Sequence, residues 1–174
     1  MSKRMPKNNK IHRQLFLYEL IHKSLEVTMG EMINILHRHV PKQCVCQKTI
    51  KRDITDLTDA GLVQLEYNRK DNVYSSLGGS DVINAKEGTS RYLYLQKLRR
   101  LAVLLVEWTD ISWTNDDDYN CKESYQEWFP GVSERTRFRD YDTLSRMGFS
   151  IRWDPYYKCH RIGKYYDIHD GEEF

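Results

Sequence analysis

One stretch of this chain is written twice. Residues 48–62 and residues 135–149 align without a gap, 87 positions apart. The copies share Thr49/Thr136, Arg52/Arg139, Asp53/Asp140, Leu57/Leu144 and Gly61/Gly148. Lys48/Arg135 keeps the charge, and Leu62/Phe149 keeps the apolar character. Internal similarity of this kind restricts a chain more than composition does, because each copy must fold on one plan. The expectation is two small units built alike.

Each copy reads as an amphipathic helix. Ile50, Ile54 and Leu57 recur at helical spacing and face a core, while Lys48, Arg52, Thr55 and Asp59 lie opposite. Gly61 and Gly148 follow as C-terminal caps. Basic residues (Lys48, Lys51, Arg52; Arg135, Arg137, Arg139) crowd the early turns, and Asp53, Asp56, Asp59, Asp140 and Asp142 come after. A helix dipole favours the reverse order. Two helices that both carry this arrangement point to an anion at their N-terminal ends, and nucleic-acid phosphate and guanine edges fit. The competing reading is a solvated face on which Arg52 pairs locally with Asp56. Arg137 is an irregularity, since it aligns with the apolar Ile50. Either the second helix turns Phe138, Tyr141 and Leu144 inward, or Arg137 snorkels.

The surrounding segments predict the frame. A helix is readable from Ile11 to Leu25, with Ile11, Leu15, Tyr18, Ile21 and Leu25 on one face. Thr28 opens a second helix, with Glu31 completing a capping box and Met29, Met32, Ile33, Leu36 and Val40 apolar. Pro41 closes it, and the first basic helix follows a short turn. Leu62–Tyr67 then reads as a strand, residues 68–72 as a turn bearing Arg69 and Lys70, and Val73-Tyr74 as the return. Helix, helix, turn, helix and hairpin is the helix-turn-helix plan with a wing.

Residues 77–90 contain Gly78, Gly79 and Gly88 and read as a linker. From about Arg91 a long helix, apolar over much of its girth, runs to Trp108. It either packs between the units or forms a dimer seam. The acidic loop 115–120 lacks the glycine and terminal glutamate of a calcium loop. A short helix spans Lys122 to Phe129, Ser133 caps the second basic helix, and residues 149–162 give a second hairpin.

Charge divides the chain unevenly. Residues 1–75 hold 13 Lys+Arg against 8 Asp+Glu, a net of +5, and residues 76–174 hold 14 against 17, a net of −3. Nucleic-acid affinity should therefore lean on the first unit. The four cysteines, Cys44, Cys46, Cys121 and Cys159, form no Cys-x-x-Cys pair and read as reduced thiols without a metal. No signal peptide opens the chain and no apolar run would span a bilayer, so a soluble, cytoplasmic protein is expected. Phosphate-loop, metalloprotease and serine-hydrolase motifs are absent, and no enzyme activity is expected.

Residues 133–144, Ser-Glu-Arg-Thr-Arg-Phe-Arg-Asp-Tyr-Asp-Thr-Leu, followed by Met147-Gly148-Phe149 and a hairpin, resemble the winged helix of DeoR-like and WYL-domain bacterial transcription regulators. Lys48-Thr49-Ile50-Lys51-Arg52-Asp53-Ile54 with Leu57, Gly61 and Leu62 matches the same pattern, with Lys48 in place of arginine. The resemblance covers both basic helices and their hairpins. It implies sequence-specific binding of double-stranded DNA and control of transcription; a repressor is the expected role, with an activator open. Relatives continue into a ligand-sensing domain, and nothing in this sequence resembles one.

The expected fold is mainly α with small β-hairpin wings: tandem winged helix-turn-helix domains at 1–76, with a basic N-terminal arm, and 91–168, joined by the 77–90 linker, with an acidic tail at 169–174. The expected DNA-binding residues are Lys48, Thr49, Lys51, Arg52, Thr55, Arg69 and Lys70 from the first unit. Ser133, Arg135, Thr136, Arg137 and Arg139 are those of the second. Double-stranded DNA is the expected partner, with a homodimer open, and no cofactor, metal or small-molecule ligand. The alternative is a winged-helix assembly module, whose contacts would use aromatics such as Trp113, Tyr156 and Tyr157 and would resist salt.

Overall fold

The structure is a computed structural model, and it describes residues 9–39, 45–111, 121–147, 151–155 and 159–162. The arm at residues 1–8, Val40 and Pro41, the acidic loop, Trp113, Gly148, Tyr156, Tyr157 and the tail lie outside those residues. The chain divides into two compact units, Asn8–Ala102 and a second that takes up the chain at Val103.

In the N-terminal unit, α1 (Asn9–Lys23) buries Ile11, Leu15, Leu17, Tyr18 and Ile21. This helix stops two residues short of Leu25, which is 90 % exposed rather than part of the apolar face. The reason is β1 (Glu26–Thr28), a strand that the sequence does not announce. Its three residues pair antiparallel with a segment some 45 positions away, Val27 opposite Tyr74. Helix α2 (Met29–His39) then begins with the anticipated capping box. The Thr28 N–H donates to Glu31 Oε2 at 2.7 Å, and the Glu31 N–H donates back to Thr28 Oγ1 at 3.2 Å. Met32 and Leu36 are its fully buried residues.

Helix α3 (Gln47–Asp59) is the first basic helix, and it buries Ile50 and Leu57 completely. Its end is a Schellman turn: the Leu62 N–H reaches Leu57 O at 3.0 Å and the Gly61 N–H reaches Thr58 O at 2.9 Å. Gly61 carries φ +73°, and a Cβ there would lie 2.6 Å from the Val82 carbonyl oxygen. Glycine is thus required twice over, by conformation and by space. Leu62 and Val63, expected in a strand, are instead buried in this turn. The hairpin consists of β2 (Leu65–Asn68) and β3 (Val73–Ser76), and the sheet order is β1-β3-β2.

Residues 77–84 pack on the end of α3 rather than hanging free as a linker. Gln64 and Leu77–Gly78 exchange backbone hydrogen bonds of 2.6 and 2.8 Å, and the Asn84 N–H donates to Asp59 O at 2.7 Å. Helix α4 (Ser90–Ile111) follows, and Leu95, Leu98 and Leu101 are buried on it.

The C-terminal unit contains the last part of α4, with Leu104, Leu105 and Val106 buried, then α5 (Cys121–Trp128) and α6 (Glu134–Arg146). Its hairpin pairs β4 (Ile151–Asp154) with β5 (Cys159–Ile162), Trp153 opposite His160. Ser133 caps α6 as expected, its hydroxyl accepting from the Thr136 N–H at 3.3 Å. The fold is mainly helical with small antiparallel sheets. No helix among the described residues is long and apolar enough to cross a membrane.

Candidate nucleic-acid interface

The charges of α3 are sorted by side. Asp53 and Asp56 are buried, at 1 % and 5 % exposure, although both carry charge on a helix with an open face. They survive burial because other elements supply donors. Arg13 of α1 grips both oxygens of Asp53, through Nε at 2.5 Å and Nη2 at 3.0 Å. Gln14 bridges the two carboxylates, its Nε2 lying 3.1 Å from Asp53 Oδ1 and 2.7 Å from Asp56 Oδ2. The Tyr94 hydroxyl of α4 donates to Gln14 Oε1 and so fixes the amide's orientation.

Asp56 also takes Lys10 Nζ at 2.6 Å and Arg91 Nη1 at 2.5 Å. Burial pushes its carboxyl upward, but Lys10, Arg91 and Gln14 outweigh that and hold it below the ordinary value. Burial, together with the nearby Asp56 carboxylate, raises the Tyr94 phenol well above its usual range. Asp59 pairs with Arg91 Nη2 at 2.8 Å and accepts from Asn84 Nδ2 at 3.2 Å. Every acid of α3 is therefore answered from α1, α4 or the segment between β3 and α4.

The bases face the other way. Lys48, Lys51, Arg52 and Thr55 are exposed, and with Gln47 they line an open concavity of 380 Å³. None of these three cations pairs with a carboxylate among the described residues, and Arg52 does not pair with Asp56. Thr55 Oγ1 donates to Lys51 O at 2.9 Å, and half-buried Thr49 sits beside Cys46 Sγ at 3.5 Å. Cys46 is the N-cap residue, and the Thr49 hydroxyl and nearby backbone N–H groups lower its thiol pKa. Arg69 and Lys70 are exposed at the hairpin tip, whose turn is held by Asn68 Oδ1 accepting from the Lys70 N–H at 2.9 Å.

Helix α6 repeats this sorting at Asp140 alone, since the side chains of Glu134 and Asp142 are 64 % and 56 % exposed. Asp140 is 1 % exposed and accepts from the Tyr125 hydroxyl of α5 at 2.9 Å. Arg135 and Arg139 are exposed, Thr136 is half-buried, and Ser133 spends its hydroxyl on the cap. Arg137 departs from the expected set: it is 4 % exposed and pairs with Glu134 at 2.8 Å. Phe138, expected inward if the helix were rotated, is 46 % exposed. The helix keeps the register of its counterpart, and Arg137 fills the apolar slot with its stem and ring contacts.

The inward role of the acids was missed in the sequence, yet Asp53/Asp140 is among the five identities that the two copies share. Their partners Arg13, Gln14, Arg91 and Tyr94 lie 32 to 80 positions away from the residues they hold, where no local pattern reveals them. No protein-family model, no curated protein and no solved structure matches the chain.

Proposed function

We propose that this protein is a sequence-specific regulator of transcription, a repressor, that binds double-stranded DNA through tandem winged helices. The order α1-β1-α2-α3-β2-β3 with sheet order β1-β3-β2 supports a winged helix in the N-terminal unit. The two motif copies carry the likeness to DeoR-like and WYL-domain regulators. One observation bears most of the weight: the acids of α3 are turned inward and neutralised, while Lys48, Lys51 and Arg52 stand together outside. A helix so arranged offers guanine edges and phosphates an uncancelled positive face. Thr49 adds a hydroxyl, Thr55, whose own hydroxyl donates to Lys51 O, adds a methyl group, and Arg69 and Lys70 reach phosphate from the wing. Arg135, Thr136 and Arg139 serve alike in the second unit, with Ser133 at the helix start. Arg137 serves there from behind the surface.

The test is selection from a random duplex library at two salt concentrations, using the intact protein. A motif whose binding weakens steeply with salt is the expected result. No duplex binding at low salt would sink the reading and promote an assembly module. The exposed Leu25 and Leu77, 90 % and 63 % accessible, would then be the first surface to examine.

A further inference from the structure

The copies of the basic helix differ at several exposed positions, and at one of them an aromatic ring replaces a cation. Phe138 aligns with Lys51. Lys51 lines the concavity on α3, and Phe138 stands 46 % exposed between the exposed Arg135 and Arg139. A single exposed aromatic is ordinary on a protein surface. This one is held in place from behind. The Arg137 guanidinium carbon lies 4.8 Å from the Phe138 ring centroid and 5.7 Å from that of Tyr141. Tyr141 meets Phe138 edge-on, at 6.4 Å and 85°. Glu134 in turn fixes Arg137. Arg137, the counterpart of Ile50, is thus a platform under an exposed ring, which loses little freedom on binding.

We propose that Phe138 is a specificity-determining residue, contacting the 5-methyl group of thymine in the major groove. This rests on the DNA-binding reading above. Among base edges in that groove, the thymine methyl is the apolar feature, and phenylalanine matches it. The flanking arginines supply phosphate or guanine contacts around it. Lys51, at the equivalent place, is a donor for guanine instead. The two helices therefore read different bases, and the bound site is asymmetric in sequence although the helices are copies.

The experiment takes the duplex selected by the intact protein and replaces each thymine in turn with deoxyuridine, which lacks only the methyl group. One position is expected to weaken binding about three- to fivefold, the scale of one buried methyl. Phe138→Ala is expected to bind the dT and dU duplexes equally while keeping the rest of the motif. Phe138→Lys should shift preference at that base pair from T towards G. Indifference to deoxyuridine at every position overturns the proposal, as does a dT/dU difference that survives in Phe138→Ala. Absence of any selected motif overturns the DNA-binding reading itself, which is a separate outcome. The deoxyuridine measurement leaves the protein unaltered, so a folding defect in a variant cannot imitate it.

Discussion

Arg13 holds Asp53 by both carboxylate oxygens, and this clamp ties α1 to the buried side of the helix whose outer side carries Arg52. Adjacent residues in sequence thus have separate duties. Asp53→Ala removes one partner of a buried pair and takes the bidentate carboxylate from the Arg13 guanidinium, whose side chain is only 12 % exposed. It should destabilise the N-terminal unit by about 3–5 kcal/mol. Chemical denaturation of the variant checks this, and a loss below about 1 kcal/mol would show that the pair contributes little.

Arg52→Ala should leave that denaturation midpoint nearly unchanged, since the side chain is exposed. Its specific affinity for the selected duplex should fall by about 1–3 kcal/mol if it reads a base. Neutralising Lys48 or Lys51 should lower the slope of log affinity against log salt by about 0.9 for each phosphate that the side chain had neutralised. Fluorescence anisotropy across a salt series separates base readout from phosphate binding.

Gly61→Ala places a side chain at φ +73°, against the Val82 backbone at 2.6 and 2.9 Å. The left-handed conformation alone carries about 1–2 kcal/mol, and the collision adds to it. A melting temperature within a degree of the parent would mean that the helix end and the 77–84 segment can part without loss.

His12 is expected to set a stability change near neutral pH. Burial, then the charge of His39, lowers its pKa from the ordinary 6.5, and its Nε2 has no hydrogen-bond partner among the described residues. A lowered histidine means that the unfolded chain binds the proton more readily. Stability should be full above pH 6.5 and decline as the pH falls from there towards the folded-state value. His12→Phe, with Phe16 beside it at 4.8 Å, should flatten that decline; denaturation midpoints at several pH values provide the readout.

Asp56 acts in a more acid window. Its folded-state pKa lies below the ordinary 3.8, so its ion pairs are intact above that value and are lost as the pH falls through the lowered one. Asp56→Asn should lose stability at neutral pH and show a shallower acid limb. An acid limb identical to the parent's would assign the transition to other carboxylates.

The helices were legible because periodicity and caps are local. Thr28 and Glu31, and Gly61 after Leu57, carry their geometry within a few residues. The basic face of α3 was legible for the same reason, as a row of charges at helical spacing. What escaped was held at a distance. Strand β1 has three residues and no alternation to display, and β3 recruits it. The inward turn of Asp53 and Asp56 depends on Arg13, Gln14 and Arg91, and Gly79 suggested looseness where backbone packing needed smallness. A Cβ on Gly79 would meet the Gly61 carbonyl oxygen at 2.6 Å. Phe138 escaped because a phenylalanine beside an arginine is read as core until the register is seen.

The close passage of Gly61, Gly79 and Val82 decides where this chain can change length. The base of the hairpin is fastened to the end of α3 by Gln64 with Gly78, Ser80 with Gly61, and Asn84 with Asp59. A residue inserted between Leu77 and Asn84 would break that fastening and tug on the end of α3. Residues inserted between Asn68 and Val73, at the solvent-exposed tip, would disturb none of it. Descendants of this chain can therefore lengthen or shorten the hairpin while α3 keeps its place.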